Sequence, residues 1–396
     1  MTRPLRVLSL ATLFPSPARP GFGRFVARQG EALAKRGDVE LTVVHPIGIA
    51  PWPLNRLLNT PANRALPASA YDHGLEVHYP RYPWLPRFGA RWNPALIARA
   101  VLPLARRLHA ERAFDLVDAQ FFFPDGPAAA RIARALGLPL SIKARGSDIH
   151  HWGGIPFARH AMLEAAKQAA GLLAVSEALK GEMAALGMPA ESIAVHYTGL
   201  DHARFRPLPR MEARQSIADL LPVDGPLLAS IGNLIPLKGQ HLAIRALAAI
   251  PGARLALAGK GPEAANLRAL AERTGVAPRV HFLGALEPER IAMLLAAADA
   301  MVLPSEREGL ANAWIEALAC GAPLVIADVG GAREVVNDPG AGRLVERTPE
   351  AIASALRDLL ANPPTQAEVA AHAARFSWEA NAAQLAAHYA GIAGRG

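Results

Sequence analysis

The sequence predicts an α/β protein of two domains, each a parallel sheet with helices on both faces. Three observations carry this. Apolar runs of strand length alternate with amphipathic runs of helix length along nearly the whole chain. The alternation breaks once, at the polar stretch TGLDHARFRP, residues 198–207. The 396 residues suffice for two or three domains, and 51% hydrophobic against 19% charged residues allows large cores and excludes disorder.

The first series opens with RVLSLA (6–11), a buried strand. A Pro- and Gly-rich loop (12–23) follows, then the amphipathic helix RFVARQGEALAKR (24–36), closed by Gly37, and the strand VELTVVH (39–45). Strand, Gly loop, helix and strand form one right-handed crossover. Gly21 and Gly23 would let that loop approach a phosphate closely, a weak signal alone. Residues 46–94 are rich in Pro, Arg and aromatics, including Trp52, Tyr79, Tyr82, Trp84 and Trp92, with one short strand expected near 75–79. Residues 95–112 read as a helix, 116–119 as a strand, 125–136 as a helix and 140–144 as a strand running into ARGSDIHHW. A helix at 156–170, a strand at 172–175, a helix at 177–186 and a strand at 193–196 complete the series. TGLDHARFRP reads as a linker.

The second series places strands at 227–231, 254–258, 280–283, 300–303, 324–327 and 342–345. Helices fall at 240–249, 263–274, 288–298, 312–319, 332–337 and 349–360, with tail helices at 366–375 and 378–390. The expected division is 1–200, 201–376 and a last helix within 377–396 that packs back toward the first domain.

Composition and charge bound the function. A single cysteine, Cys320, excludes an intrachain disulfide framework. The opening MTRPLRVLSL reads as a first strand and not as a signal peptide, so a cytoplasmic location is expected. No apolar run reaches membrane-spanning length; the nearest, 291–304, is short and holds Asp299. Residues 1–198 hold 23 Lys and Arg against 14 Asp and Glu, while 199–396 hold 19 against 20. A basic front half suits an anionic partner such as a membrane surface, and the helix at 95–112, with Arg99, Arg106, Arg107 and Arg112 among its polar positions, could lie on one. The plainer reading is a composition in which Arg replaces Lys, since only six basic residues are lysines.

The stretch EGLANAWIEALACGAPLV (308–325) carries the chemistry. Glu308 and Gly309 sit in a turn before a helix, and Glu316 lies eight residues on, about two turns in. The N–H groups of Leu310, Ala311 and Asn312 would point out of the helix end at an anion such as a diphosphate. Glu316 could accept from two hydroxyls of a ribose, and Glu308 could hold hydroxyls of a group beyond the phosphates. A surface helix with two solvated acids is the bland alternative.

These residues resemble the retaining glycosyltransferases of family four. The resemblance implies a GT-B fold of two facing Rossmann-like domains with a ligand cleft between them. It spans nearly the whole chain. PGFGRFVARQGEALAKRG resembles the family's Gly-Gly loop and first helix, with Pro20 in place of the first Gly. ARGSDI resembles its HGSD segment with Arg145 in place of His, as in a sub-branch similar to teichuronic-acid and exopolysaccharide assembly enzymes. TGLDHARFRP resembles NGVD…F.P, and GNLIPLKG, with Gly232, resembles GRL…KG, with Lys238 kept and Asn233 replacing Arg. LAGKGPE, with Gly261, resembles the next Gly-rich turn. SEREGLANAWIEALACGAPLV carries the family's two Glu residues separated by seven and is the most specific match.

The resemblance implies roles position by position. Glu316 would bind the nucleotide ribose, Glu308 the hydroxyls of the transferred sugar, and Lys238 the leaving diphosphate. Gly309, Leu310, Ala311 and Asn312 would bring N–H groups to phosphate and sugar. Gly21, Gly232, Asn233 and Gly261 would lie along the donor. Arg145 and Asp148 would face acceptor or donor sugar, with Arg145 or Arg24 supplying the charge that Asn233 lacks. No DxD pair appears in a loop, and Asp148, His150, His151 and His160 lack metal spacing, so neither metal nor cofactor is expected. The implied activity is sugar transfer from a nucleotide-diphosphate sugar to a glycan or lipid-linked acceptor, with no nucleic acid involved. The alternatives are a GT-B nucleotide-sugar 2-epimerase and a non-enzymatic two-domain sugar-binding protein. A dehydrogenase is disfavoured, since no G-x-G-x-x-G follows the first strand.

Overall fold

The computed structural model describes residues 3–51, 63, 65–84, 87–222 and 224–394; Trp52 lies outside them. The chain divides into two compact units: Met1–Gly199 with Trp378–Gly396, and Leu200–Ser377.

Unit 1 is built on β1 (Leu5–Leu10), β2 (Val39–Val44), β4 (Ser69–Asp72), β5 (Leu75–His78), β7 (Leu116–Ala119), β8 (Leu140–Ala144), β9 (Gly171–Ala174) and β10 (Ile193–Val195). The sheet order is β10-β9-β8-β7-β1-β2-β5-β4. All neighbours are parallel except β4 and β5. Its central strands are buried on both faces, so apolar residues dominate them, and the polar exceptions Ser9, Asp118, Ser141 and Lys143 are buried as well. Beside this sheet, β3 (Ile47–Ile49) and β6 (Arg81–Pro83) pair in parallel. Where the sequence suggested one short strand in 46–94, the described residues of that stretch form four. Each is three or four residues long, too short for periodicity to show.

Helices α1 (Arg24–Ala34), α2 (Asn93–Glu111), α3 (Asp125–Leu136), α4 (Pro156–Ala166) and α5 (Glu177–Ala185) cover the sheet. In α1, Gly30 packs close to β5: a Cβ there would lie 2.7 Å from the tip of the Leu75 side chain, which would have to shift. The Ser176 hydroxyl caps α5 by accepting from Leu179 N–H at 3.0 Å.

The last helix belongs to unit 1. Its Tyr389, Leu385 and Ala382 share a core with Leu5, Val7, Leu33 and Leu116. The Asn381 amide donates to Tyr197 O at 2.5 Å, and His196 Nε2 donates to Asn381 O at 2.8 Å.

Unit 2 contains β11 (Leu227–Ile231), β12 (Arg254–Ala258), β13 (Val280–Gly284), β14 (Ala300–Leu303), β15 (Leu324–Ala327) and β16 (Gly342–Val345). The order is β13-β12-β11-β14-β15-β16, all parallel. This is the doubly wound order in which the direction of winding reverses between β11 and β14. Helices α6 (Arg210–Ser216), α7 (Gln240–Leu247), α8 (Ala264–Arg273), α9 (Pro288–Ala297), α10 (Asn312–Ala319), α11 (Ala332–Val335), α12 (Pro349–Ala361) and α13 (Gln366–Ala371) pack around it; the last helix of unit 1 is α14 (Trp378–Ile392). Thr365 and Glu368 form a capping box on α13.

Two sequence expectations are corrected here. The boundary between the units falls inside TGLDHARFRP, at Gly199 and Leu200, but most of the segment is packed rather than free: Leu200 and Phe205 are buried, and Arg204 pairs with Asp201 and with Glu289 at 3.0 Å. Helix α6 went unread because it spans only seven residues. It is anchored by Arg210 and Arg214 to Asp299, whose carboxylate also accepts from Leu227 N–H at 2.7 Å. The acid that interrupts the apolar run at 291–304 therefore ties the start of β11 to α6.

Candidate functional site

In an open parallel sheet, ligands bind beyond the carboxyl ends of the strands where the winding reverses. In unit 2 those ends are Ile231 on β11 and Leu303 on β14. The loop after β11 runs through Gly232 and Asn233 into a short 3-10 turn, Pro236–Lys238. The loop after β14 carries Glu308 and Gly309 into α10. The topology thus brings Lys238 and Glu308 together, and they form a close, largely shielded ion pair.

Glycines hold these loops in place. Gly239 has φ +71° and a Cβ on it would strike Pro304 O at 2.3 Å. Gly330 (φ +52°) lies so close to Glu308 O that a Cβ would come to 1.9 Å, and Gly331 N–H donates to Gly309 O at 2.8 Å. Gly261 meets the backbone of Leu234 in the same way, at 2.1 Å, so its position brings two loops into contact. Gly232 leaves the space beside the Lys238 stem open, at 3.9 Å. Asn233 is exposed, with its carbonyl accepting from the Gln240 amide at 3.0 Å.

Helix α10 begins at Asn312, and Ala311 is its extended N-cap. The Leu310 and Ala311 N–H groups therefore belong to the loop, and the first helical ones are those of Asn312 and Ala313. None of these four N–H groups donates to a protein acceptor among the described residues. A row of donors at a positive helix end suits an anion. Glu316 follows on the same helix, half-buried, and desolvation pushes its carboxyl up to about 7 while nearby Arg204 opposes the rise. Sequence reasoning missed Arg204. Its signal was the Arg-Phe-Arg-Pro end of a segment taken as a linker.

In unit 1 the winding reverses between β1 and β7. Arg145, just after β8, donates through Nε to Gln120 O at 3.0 Å and through Nη2 to the Gln120 and Gln29 side chains, and it lies over the Phe25 ring at 4.8 Å. Burial brings it down to about 10, against the pull of Asp118 and Asp148. Its Nη1 has no partner among the described residues.

Asp148 corrects the expectation that it faces a sugar. It is fully buried, and its carboxylate accepts from the N–H groups of Phe122 (2.8 Å), Arg145 (3.0 Å), Gly146 (2.9 Å) and Ile149 (3.1 Å). It shapes the loop that carries Arg145. In the front loop, Gly23 (φ +70°) is the glycine the backbone requires, since a Cβ would strike Leu13 at 2.6 Å; Gly21 has open space around it. Arg24 donates to Pro20 O at 3.3 Å within the same loop. The histidines 150, 151 and 160 form no cluster of three metal-ligating side chains with any neighbours among the described residues.

Known proteins resemble the chain in both parts. Residues 20–204 match the model described as Glycosyltransferase Family 4, and residues 213–376 match that of Glycosyl transferases group 1. The D-inositol 3-phosphate glycosyltransferase of Mycobacterium avium is 37% identical over 213 residues, 51% of this chain and 49% of that one. That of Mycobacterium tuberculosis is 38% identical over 215 residues, 51% of this chain and 44% of its own. The alignment spans about half the length of these curated relatives. Sucrose-phosphate synthase from Thermosynechococcus elongatus superposes with a TM-score of 0.81 at 20% identity, covering 99% of this chain and 100% of that one. Anabaena HepE, solved with UDP and glucose, superposes at 0.74 with 23% identity over 98% and 100%. Those two likenesses show the fold. The chain therefore has the GT-B fold, with a Glycosyltransferase Family 4 domain at residues 20–204 and a Glycosyl transferases group 1 domain at 213–376.

Proposed function

We propose that this chain is a retaining glycosyltransferase that moves a sugar from a nucleotide-diphosphate sugar, held by unit 2, to a glycan or lipid-linked acceptor at unit 1. The observation that carries the reading is the convergence, at the switch point of unit 2, of Lys238, Glu308, the open N–H groups of residues 310–313 and Glu316. Each suits one part of such a donor. Breaking the anomeric C–O bond builds charge on the departing diphosphate, and fixed N–H donors with one cation stabilise that charge without reorganising. Glu316 accepts the ribose hydroxyls, and Glu308 accepts those of the sugar once phosphate competes for Lys238. With leaving group and incoming hydroxyl on one face of the sugar, no protein nucleophile is needed. No metal or other cofactor enters this reading.

The likeness to HepE, solved with UDP and glucose, and to the D-inositol 3-phosphate glycosyltransferases supports a nucleotide sugar as donor and a hydroxylated acceptor. A role in cell-surface polysaccharide synthesis, in a sub-branch like the teichuronic-acid enzymes, rests on the Arg145 resemblance. Contact of the cytoplasmic face of a membrane with α2 is supported by the exposed Trp92, Arg99, Arg106 and Arg107. No helix among the described residues is long and apolar enough to cross a membrane.

The test is thermal stabilisation by UDP-, GDP- and ADP-sugars, since a ligand bound only by the folded chain raises its Tm by mass action. One class of donor should raise Tm by several degrees in the wild type and not after replacement of both Glu308 and Glu316. Equal stabilisation of the double variant would reject the site. A donor that binds but is epimerised without acceptor would assign the chain to the epimerases.

A further inference from the structure

Unit 1 holds a cavity of about 670 Å³ beyond the carboxyl ends of β1 and β2. Its walls are largely aromatic. Trp84 and Phe14 line it, and Phe123 and Trp152 line it with ring centroids 4.6 Å apart. In this lining sit three polar side chains that are more than nine-tenths buried, each with one polar atom that lacks a protein partner among the described residues. Asn93, the first residue of α2, is 7% exposed, and its Oδ1 is buried without a hydrogen bond. The Tyr82 hydroxyl, on a side chain 7% exposed, has no partner either. His45, also 7% exposed, has Nδ1 2.7 Å from Ala11 O. That nitrogen must carry the proton, which leaves Nε2 as an open acceptor. Burial keeps the ring neutral, its pKa brought down to about 4.

The chemistry of the lining selects the ligand. An alkyl chain would fill the aromatic walls but leave two acceptors and a hydroxyl dry and unpaired. A phosphate would find neutral donors in the Tyr82 hydroxyl and the Asn93 amide but would face the acceptors Asn93 Oδ1 and His45 Nε2, with Arg19 the only cation lining the cavity among the described residues, and that side chain is already stacked on Phe22 at 3.8 Å. A neutral sugar ring has what is missing: hydroxyls that donate to Asn93 Oδ1 and His45 Nε2, and a C–H face that packs on indole and phenyl planes. We infer that this cavity binds a neutral glycosyl unit, the terminal sugar of the acceptor, and not a phosphorylated polyol or a lipid tail. The assignment of that sugar as acceptor rests on the transferase reading; the binding itself does not.

The experiment is ligand-observed NMR on the full chain without donor. The probes are a panel of neutral mono- and disaccharides, D-inositol 3-phosphate and a dodecyl chain carried by a zwitterionic headgroup. At least one neutral saccharide should bind in the millimolar range. Its affinity should fall tenfold or more in Asn93→Ala and Trp152→Ala, and three- to tenfold in Tyr82→Phe, which removes only a hydroxyl and keeps the shape of the wall. Tighter binding of inositol phosphate or of the dodecyl probe would overturn the inference. So would the absence of any saccharide signal, or affinity unchanged in folded Tyr82→Phe and Asn93→Ala. Saccharide binding that survives while no nucleotide sugar stabilises the chain would leave the cavity assigned and reject the transferase reading.

Discussion

Lys238 and Glu308, 70 residues apart in the chain, form an ion pair where the second sheet reverses its winding. Each side chain comes from the loop after one of two adjacent strands, so the contact is a product of strand order. In the proposed reading, an incoming diphosphate takes the ammonium and releases the carboxylate to a sugar hydroxyl. Lys238→Ala should lower kcat by about 10²–10³, the usual effect of removing one fixed donor to a developing anion. The same variant leaves Glu308 shielded and unpaired, at a cost of about 1–3 kcal/mol. Steady-state kinetics with saturating donor, beside a thermal melt, separates the two effects; an unchanged kcat would make the pair purely structural.

Glu316 should show opposed effects on stability and on binding. Its carboxyl titrates at about 7 in the folded chain, above its usual 4.5. Between these values the folded state keeps a proton that the unfolded state has lost, so stability falls as pH rises through that window. Glu316→Gln removes the penalty. At pH 8 it should be more stable than the wild type by on the order of 1–3 kcal/mol, while its KM for the donor rises tenfold or more. In the wild type, KM should increase as pH drops below about 7, where the carboxylate proposed to accept ribose hydroxyls is lost. Denaturant melts at pH 5 and pH 8 check the first part, and a pH series of KM checks the second.

Arg145 combines a charge with a fixed fork. Its Nη2 and Nε are tied to Gln29 and Gln120, and Nη1 remains open. Arg145→Ala should lower kcat tenfold or more if the open nitrogen meets the reacting groups. Lys cannot reproduce the fork and should restore little. Full activity in Arg145→Ala would show that the residue only organises the interior of unit 1.

Asp148 should matter to folding rather than to chemistry. Asp148→Ala leaves the N–H groups of Phe122, Arg145, Gly146 and Ile149 buried without their acceptor. A loss of about 3–5 kcal/mol is expected from removing a buried charged acceptor. Asp148→Asn keeps one acceptor oxygen and should cost less. Urea melts give the ordering Asp, Asn, Ala; an Ala variant as stable as the wild type would contradict the geometry.

The sequence alone determined the strands of the second unit almost to the residue, while it missed helix α6 (Arg210–Ser216) and overran α13, which ends at Ala371. The strands 227–231, 254–258, 300–303, 324–327 and 342–345 stand as read; in 300–303 and 324–327 double burial gives an uninterrupted apolar run bounded by Asp and Pro. It also placed Glu308 and Glu316 on either side of a helix start, since their spacing is local. Strand order, by contrast, is set by which apolar faces pack together, and only the fold decided it. From that order came the pairing of Lys238 with Glu308 and the approach of Arg204 to Glu316. The fold likewise turned Asp148 inward, where four backbone donors outweigh exposure to a ligand, and closed aromatic walls from distant segments around Asn93, Tyr82 and His45. Except for the donors to Asp148 from Arg145, Gly146 and Ile149, which are local, these contacts join residues tens of positions apart or more, beyond any window of sequence.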